Sequence, residues 1–259
     1  MAVLLIGVGA DGQNVCPRPR LELERRFEYV PIPEKSRETT EQRSFGSVER
    51  RYGDGYLSDL LEGIKPNGNA DWIDEHSEIR GWPVHYDPNL EALTYGEGGK
   101  DQNINAIEDQ LSEGDIIGFY TGLDTYGKMH RYLFAYFTVD EEPRIITKDT
   151  SEETKRDILS KNEENAHSKR FAANGELYAF DSSKPKGASR VAIVPGREPG
   201  GLLDRAVQLS GRLDSGHFYM SEELEDSLEP HTTYLGGFKN PIRCDISASE
   251  FVELVESRQ

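Results

Sequence analysis

Two cysteines in 259 residues, Cys16 and Cys244, are too few for a disulfide framework and do not by themselves make a zinc site. Each is expected to be a buried free thiol. Long apolar runs are also missing, and no segment approaches the roughly 20 apolar residues of a membrane helix. The N-terminal MAVLLIGVGADG has no basic stretch ahead of its short apolar run, which argues against a secretory signal. A cytoplasmic protein with no membrane partner is expected. Positive charge is scarce: 30 Lys and Arg stand against 47 Asp and Glu, a net charge of −17. Hydrophobic residues make up only 36%, low enough that disorder is the first reading to test. The apolar runs Ala2–Ile6, Ile116–Tyr120 and Tyr132–Val139 argue against it, because they can build a core. The acid is spread along the whole chain, with no tail of like charges.

Arg outnumbers Lys, and acid outnumbers base by a wide margin. Such a composition looks like salt adaptation. The Debye length falls to about 3 Å in molar salt, so self-repulsion is screened while carboxylates keep the surface hydrated. At low salt a charge of −17 would argue against a nucleic-acid partner. In a salt-adapted protein local basic pairs matter more: Arg18 with Arg20, Arg50 with Arg51, Lys169 with Arg170. An ordinary solvated surface is the simpler account of each.

Along the chain, residues 2–6 predict a central strand, followed by a glycine-rich loop over 7–14. Phe27–Ile32 reads as extended, and 34–55 as a long polar surface loop. Tyr56–Ile64 suggests a short helix, His85–Asn89 a turn, and Asn103–Leu111 a helix with Ile104, Ile107 and Leu111 on one face. Ile116–Tyr120 and Tyr132–Val139 predict strands joined by a long loop containing Gly122 and Gly127. Thr150 with Glu153 forms a capping box for a helix reaching Asn165. Leu177–Phe180 and Val191–Val194 read as strands, and Gly201–Leu209 and Ser221–Leu228 as helices. Ser247 with Glu250 caps a final helix. Strands and helices mix without βαβ alternation. One α+β domain over 1–259 is therefore expected, with a mixed sheet or a partly open barrel and packed helices.

Gly7-Val8-Gly9-Ala10-Asp11-Gly12 matches a dinucleotide fingerprint after a strand, but Pro17 and Pro19 block the helix that such a site needs. The loop still offers backbone N–H groups with Asp11 and Asn14, which suits an anion or polar ligand. A turn capped by Asp and Asn explains the same residues without one. His85 and Asp87, two apart, would face one side of a strand and could hold a metal or exchange a proton. An Asp-Pro turn is the simpler account, and no metal site is predicted. Thr94-Tyr95-Gly96 and Tyr120-Thr121-Gly122 read as Tyr-led turns, where Tyr95 and Tyr120 could stack on a base or equally serve as packing residues. Asp115 opens a β-run, where capping a turn is the simpler role. Asn165, His167 and Arg170 close the expected long helix. There His167 could transfer protons and Arg170 bind an anion, although a helix C-terminus favours both residues without any ligand.

Several stretches in chain order carry a family likeness: LLIGVGADGQN, FEYVPIPE, HYDPNLEALTYGE, EGDIIGFYTGL with YLFAYFTV, ENAHSKR, and VAIVPGREPGGLLDRAVQLS. Together they resemble the third type of nucleotide modification associated domain, in a salt-adapted archaeal or viral member. The entry to the Ile116 strand also resembles that of small barrel readers of modified bases, the PUA and YTH-like group. The likeness implies a partner that is a nucleotide or a modified nucleobase, free or within DNA. It names no cofactor. The residues it carries over are Asp11, Asn14, Asp87, Tyr95, Asp115, Tyr120, Asn165, His167 and Arg170. His167, Asp11 and Asp87 would be catalytic and the others would bind ligand. Three functions stay open: an enzyme or accessory protein acting on nucleotides, a reader that binds a modified base, and an interaction protein without an active site. Convergence of Asp11, Asp87, His167 and Arg170 in one place would favour the first.

Overall fold

The computed structural model describes residues 2–259 except 67–69, 99–100, 126, 176, 178–189, 213–216 and 236–240. In chain order the strands are β1 (Val3–Gly7), β2 (Val15–Cys16), β3 (Ile32–Pro33), β4 (Gly63–Ile64), β5 (Val84–His85), β6 (Thr94–Glu97), β7 (Ile116–Thr125), β8 (Lys128–Val139), β9 (Arg144–Thr147), β10 (Arg190–Gln208), β11 (Ser210–Arg212), β12 (Phe218–Met220) and β13 (Ile242–Cys244). The helices are α1 (His76–Arg80), α2 (Asp101–Gln110), α3 (Glu152–Lys161), α4 (Ala166–Asn174), α5 (Glu222–Leu228) and α6 (Ala248–Glu256). Seven strands form a mixed sheet in the order β13-β1-β7-β8-β10-β6, with β9 also paired to β10. The sheet is not closed, so the expectation of an α+β fold with a mixed sheet holds.

Strand β1 is apolar on both faces because both faces are covered. Leu4 and Ile6 enter one core, together with Ile117, Phe119 and Phe134. Val3 and Leu5 enter a second, together with Ile116, Leu133 and Phe251. This is the period-two alternation of a strand sandwiched between layers. β1 lies parallel to β7 and antiparallel to β13, so it is internal to the sheet. Helix α6 closes the second core with Phe251 and Val255, and its expected capping box at Ser247 and Glu250 is present.

Several local expectations are corrected. The long loop between the two expected strands is mostly strand: β7 and β8 stay paired, through one register shift at Phe119–Tyr120, out to Thr125 opposite Lys128. Gly122 sits inside β7, and the bend falls at Gly127, whose φ of +81° suits glycine. The helix expected over Gly201–Leu209 is, up to Gln208, part of β10. Its helical spacing yields to pairing with β8, and the register shifts twice where β10 bends along its partner. The helix expected to reach Asn165 is two helices. Ser151, rather than Thr150, caps α3; the chain leaves helical geometry at Asn162; and Asn165 caps α4. Tyr56–Ile64 forms a 3-10 turn over Leu57–Leu60 and then β4. The segment 34–55 is not all surface, since Glu34 and Phe45 are buried. Cys244 is buried, but Cys16 is exposed. The strand expected at Leu177–Phe180 lies, apart from Leu177, outside the described residues. Among the described residues no helix is long and apolar enough to cross a membrane.

Candidate functional site

Three chain segments meet at one buried polar cluster beside β6. The first is Ile32–Glu34, whose pairing with Val84–His85 sets Glu34 beside His85. The second runs from His85 to Glu97. Asn89 and Thr94 exchange two backbone hydrogen bonds, folding the chain back so that the N–H of Gly96 donates to the Asp87 carboxylate at 2.9 Å. The third is the start of α4. There Asn165 accepts from the His167 N–H and donates through its amide to Thr94 Oγ1. The Asn that caps the helix thus also locks the helix to the strand.

Inside the cluster His85 Nδ1 lies 3.0 Å from a Glu34 oxygen. The other Glu34 oxygen pairs with the Arg170 guanidinium. Asp87 Oδ2 stands 3.5 Å from His167 Nε2 and 3.8 Å from His85 Nε2. The two imidazole rings meet edge to face, centroids 5.3 Å apart. Gly96 in β6 and Gly98 just beyond it present no side chain, so the His167 ring lies against bare backbone. A Cβ at Gly96 would fall 2.3 Å from His167 Cδ2, and one at Gly98 2.7 Å from its Cε1. On the other face Tyr95 donates to Glu97, which also accepts from Asn103. Burial holds the His85 imidazole below its ordinary value, against the opposing pull of Asp87, Glu41 and Glu97. Burial and the neighbouring Glu97 push the Tyr95 hydroxyl well up. A neutral imidazole held between two carboxylates can pass or accept a proton, and the His85–Asp87–His167 group has the donor atoms of a metal site.

Beside the cluster a cleft of about 1030 Å³ opens between residues 40–43, residues 89–92 and the facing sides of α3 and α4. Its lining includes Ser168, the residue after His167, and Asn89, two residues after Asp87. Arg43 lies 3.9 Å over the Tyr86 ring and pairs with Glu41 and Glu91. Lys169 pairs with Glu41 and Glu164. Burial works to raise the Glu41 carboxyl, but hydrogen bonds from Arg43 and Lys169 outweigh it and leave it below its ordinary value. Such a carboxyl adds stability that is full above its unfolded value, near about 4.3, and is lost as pH falls through its folded value. Glu41→Gln is therefore expected to lose stability less steeply than wild type below about pH 4.5, followed by circular dichroism. Equal slopes would show that the pairing adds nothing.

Of the residues expected from sequence, Asp87, Asn165, His167 and Arg170 come together, and Tyr95 lies one strand position from Gly96. The other four lie elsewhere in local roles. The Asp11 carboxylate accepts from the Gln13 N–H, and Asn14 accepts from the Asp11 N–H, so the two close their own turn. Asp115 accepts from the N–H groups of Ala2 and Ser112. Tyr120 belongs to the second core, where burial pushes its hydroxyl up to about 12. As expected, the loop after β1 leads into β2 and not into a helix.

The family model for nucleotide modification associated domain 3 matches residues 2–252. The chain belongs to that family. No curated protein and no solved structure matches it. The match spans every segment that builds the cluster in this nucleotide modification associated domain, from Glu34 to Arg170. Sequence reading missed Glu34, Glu97, Gly96 and Gly98. Glu34 had one signal: a carboxylate directly after the apolar run ending Ile32-Pro33, where a solvated loop was expected.

Proposed function

We propose that this protein binds a nucleoside or nucleoside monophosphate in the cleft beside α4, next to the His85–Asp87–His167 cluster. His167 is the proton-transfer group and Asp87 orients the base or sugar. The observation that carries this reading is the convergence of His85, Asp87, Asn165, His167 and Arg170, from segments far apart in sequence, against a strand face cleared by Gly96 and Gly98. The family's association with nucleotide modification supports the ligand class. Arg170, a phosphate ligand by sequence reasoning, is paired with Glu34, so here it is a positioning residue.

The charges favour a small ligand over a polyphosphate or a nucleic-acid strand. Arg43 and Lys169 in the cleft are each matched to two carboxylates. The expected basic pair Arg50 and Arg51 is likewise matched to Glu22, Glu28 and Asp204. Arg156 on the cleft wall serves a single phosphate. Stacking of a base on Tyr95 or Tyr120 is disfavoured, because both rings are buried. The acidic surface is read as salt adaptation, so the test is run in molar salt.

Thermal-shift measurements on nucleosides and nucleoside monophosphates, modified and unmodified, test the reading. A ligand at 100 times its Kd is expected to stabilise the fold by about 2.7 kcal/mol. Ala172→Trp fills the cleft from an exposed position without touching the buried cluster, and is expected to abolish the shift. No shift with any compound in wild type, or a shift that survives Ala172→Trp, would overturn it.

A further inference from the structure

We propose that His85, Asp87 and His167 bind one divalent first-row transition-metal ion. The inference deepens the functional reading above by naming a cofactor class at the same cluster, and with the ion held His167 and Asp87 act as its ligands in place of the direct roles given there; it rests on that reading only for the ion's use, not for its binding. Each residue offers one ligand atom, and the three atoms lie within 4.8 Å of one another. The distances decide between a hydrogen-bonded group and an ion site. The two Nε2 atoms stand 3.5 and 3.8 Å from Asp87 Oδ2. Hydrogen bonds to oxygen run at about 2.7–3.2 Å, so both separations are too long for one. Ligands bonded at roughly 2.0–2.1 Å around a tetrahedral ion stand about 3.4 Å apart, close to the 3.5 and 3.8 Å between the imidazoles and Asp87.

The surroundings are those of a supported metal site. A metal-binding imidazole is oriented when its second nitrogen donates to a carboxylate. His85 Nδ1 is 3.0 Å from the Glu34 carboxylate, which Arg170 pins from its other oxygen. Asp87 is aimed by the Gly96 N–H, which lies within hydrogen-bonding distance of both its oxygens. The His167 ring is set by its packing on Gly96 and Gly98. Two imidazoles and one carboxylate suit zinc or iron(II) over magnesium or calcium, which prefer oxygen ligands alone. Three protein ligands leave a further coordination position for water or substrate, as catalytic metal sites do.

The test is cobalt(II) titration of the full-length protein after chelator dialysis, with no nucleotide present. One equivalent of cobalt is expected to bind with the strong visible absorption of a low-coordinate site. Proton NMR of the loaded protein is expected to show two paramagnetically shifted, exchangeable imidazole N–H signals. His167→Gln should lose the uptake, while His231→Gln, at an exposed histidine paired with Asp245, should keep it. If His167→Gln does not fold, the count of imidazole signals in wild type decides. No stoichiometric uptake, fewer than two shifted imidazole signals, or undiminished uptake by folded His167→Gln would overturn the proposal. Cobalt binding without any nucleotide shift would sink the ligand reading and leave the metal site standing. A nucleotide shift without cobalt binding would do the reverse.

Discussion

Replacing Gly96 by alanine is expected to destabilise the fold by about 3 kcal/mol, at the upper end of ordinary overpacking. The added methyl meets His167 Cδ2 at 2.3 Å, Asn165 Oδ1 at 3.0 Å and Asp87 Oδ2 at 3.1 Å. None of the three groups can retreat into solvent, since all are buried. Asn165 also holds the start of α4, and Asp87 accepts from the Gly96 N–H itself. The insertion therefore strains packing and hydrogen bonds together. In a chain of this length the loss corresponds to a melting temperature lower by roughly 6–12 °C. Gly211→Ala is the control: its Cβ would meet nothing within 4 Å. Melting of Gly96→Ala together with that control would show that the His167 ring is not held against β6.

Arg170→Met is expected to cost about 3–5 kcal/mol, because it leaves a buried carboxylate without its guanidinium. Glu34 is only 1% exposed, so water does not replace the lost partner. Among the described residues it keeps His85 Nδ1 and the Lys35 N–H as polar contacts. Glu34→Gln in the same background removes the stranded charge and should recover part of the loss, so the double-mutant cycle should show a coupling of at least about 1 kcal/mol. Urea midpoints of the four proteins measure it. Additive effects would mean that Glu34 and Arg170 do not act as a pair.

The parts of the fold that could be read in the sequence were those whose signal is local. The β1 run is apolar at every position because both its faces are covered, and the Ser247–Glu250 box announces α6 in four residues. The α+β class followed from such pieces. The second half of β10 was not legible, because LLDRAVQ carries helical spacing and its strand geometry comes from β8, more than 60 residues away in sequence. The break before α4 was hidden for a related reason. Asn162 and Asn165 fit inside a helix on paper, and only the structure shows Asn165 to be a cap, its side chain accepting from the His167 N–H while its amide reaches Thr94. The cluster was half legible. His85 with Asp87 and His167 with Arg170 stood out as short-range pairs, but nothing local ties either pair to Glu34, or marks Gly96 and Gly98 as the floor beneath an imidazole.

The most direct test of the central claim is NMR of isotope-labelled protein in molar salt, titrated with a mixture of the four deoxynucleoside 5′-monophosphates. The amides of Glu91, Ala92, Ser168 and Lys169 around the cleft, and the imidazole nitrogens of His85 and His167 in the cluster, are expected to shift together along one binding curve. Shifts confined to another surface, or none at any concentration reached, would contradict the assignment of this cleft and cluster as a nucleotide site.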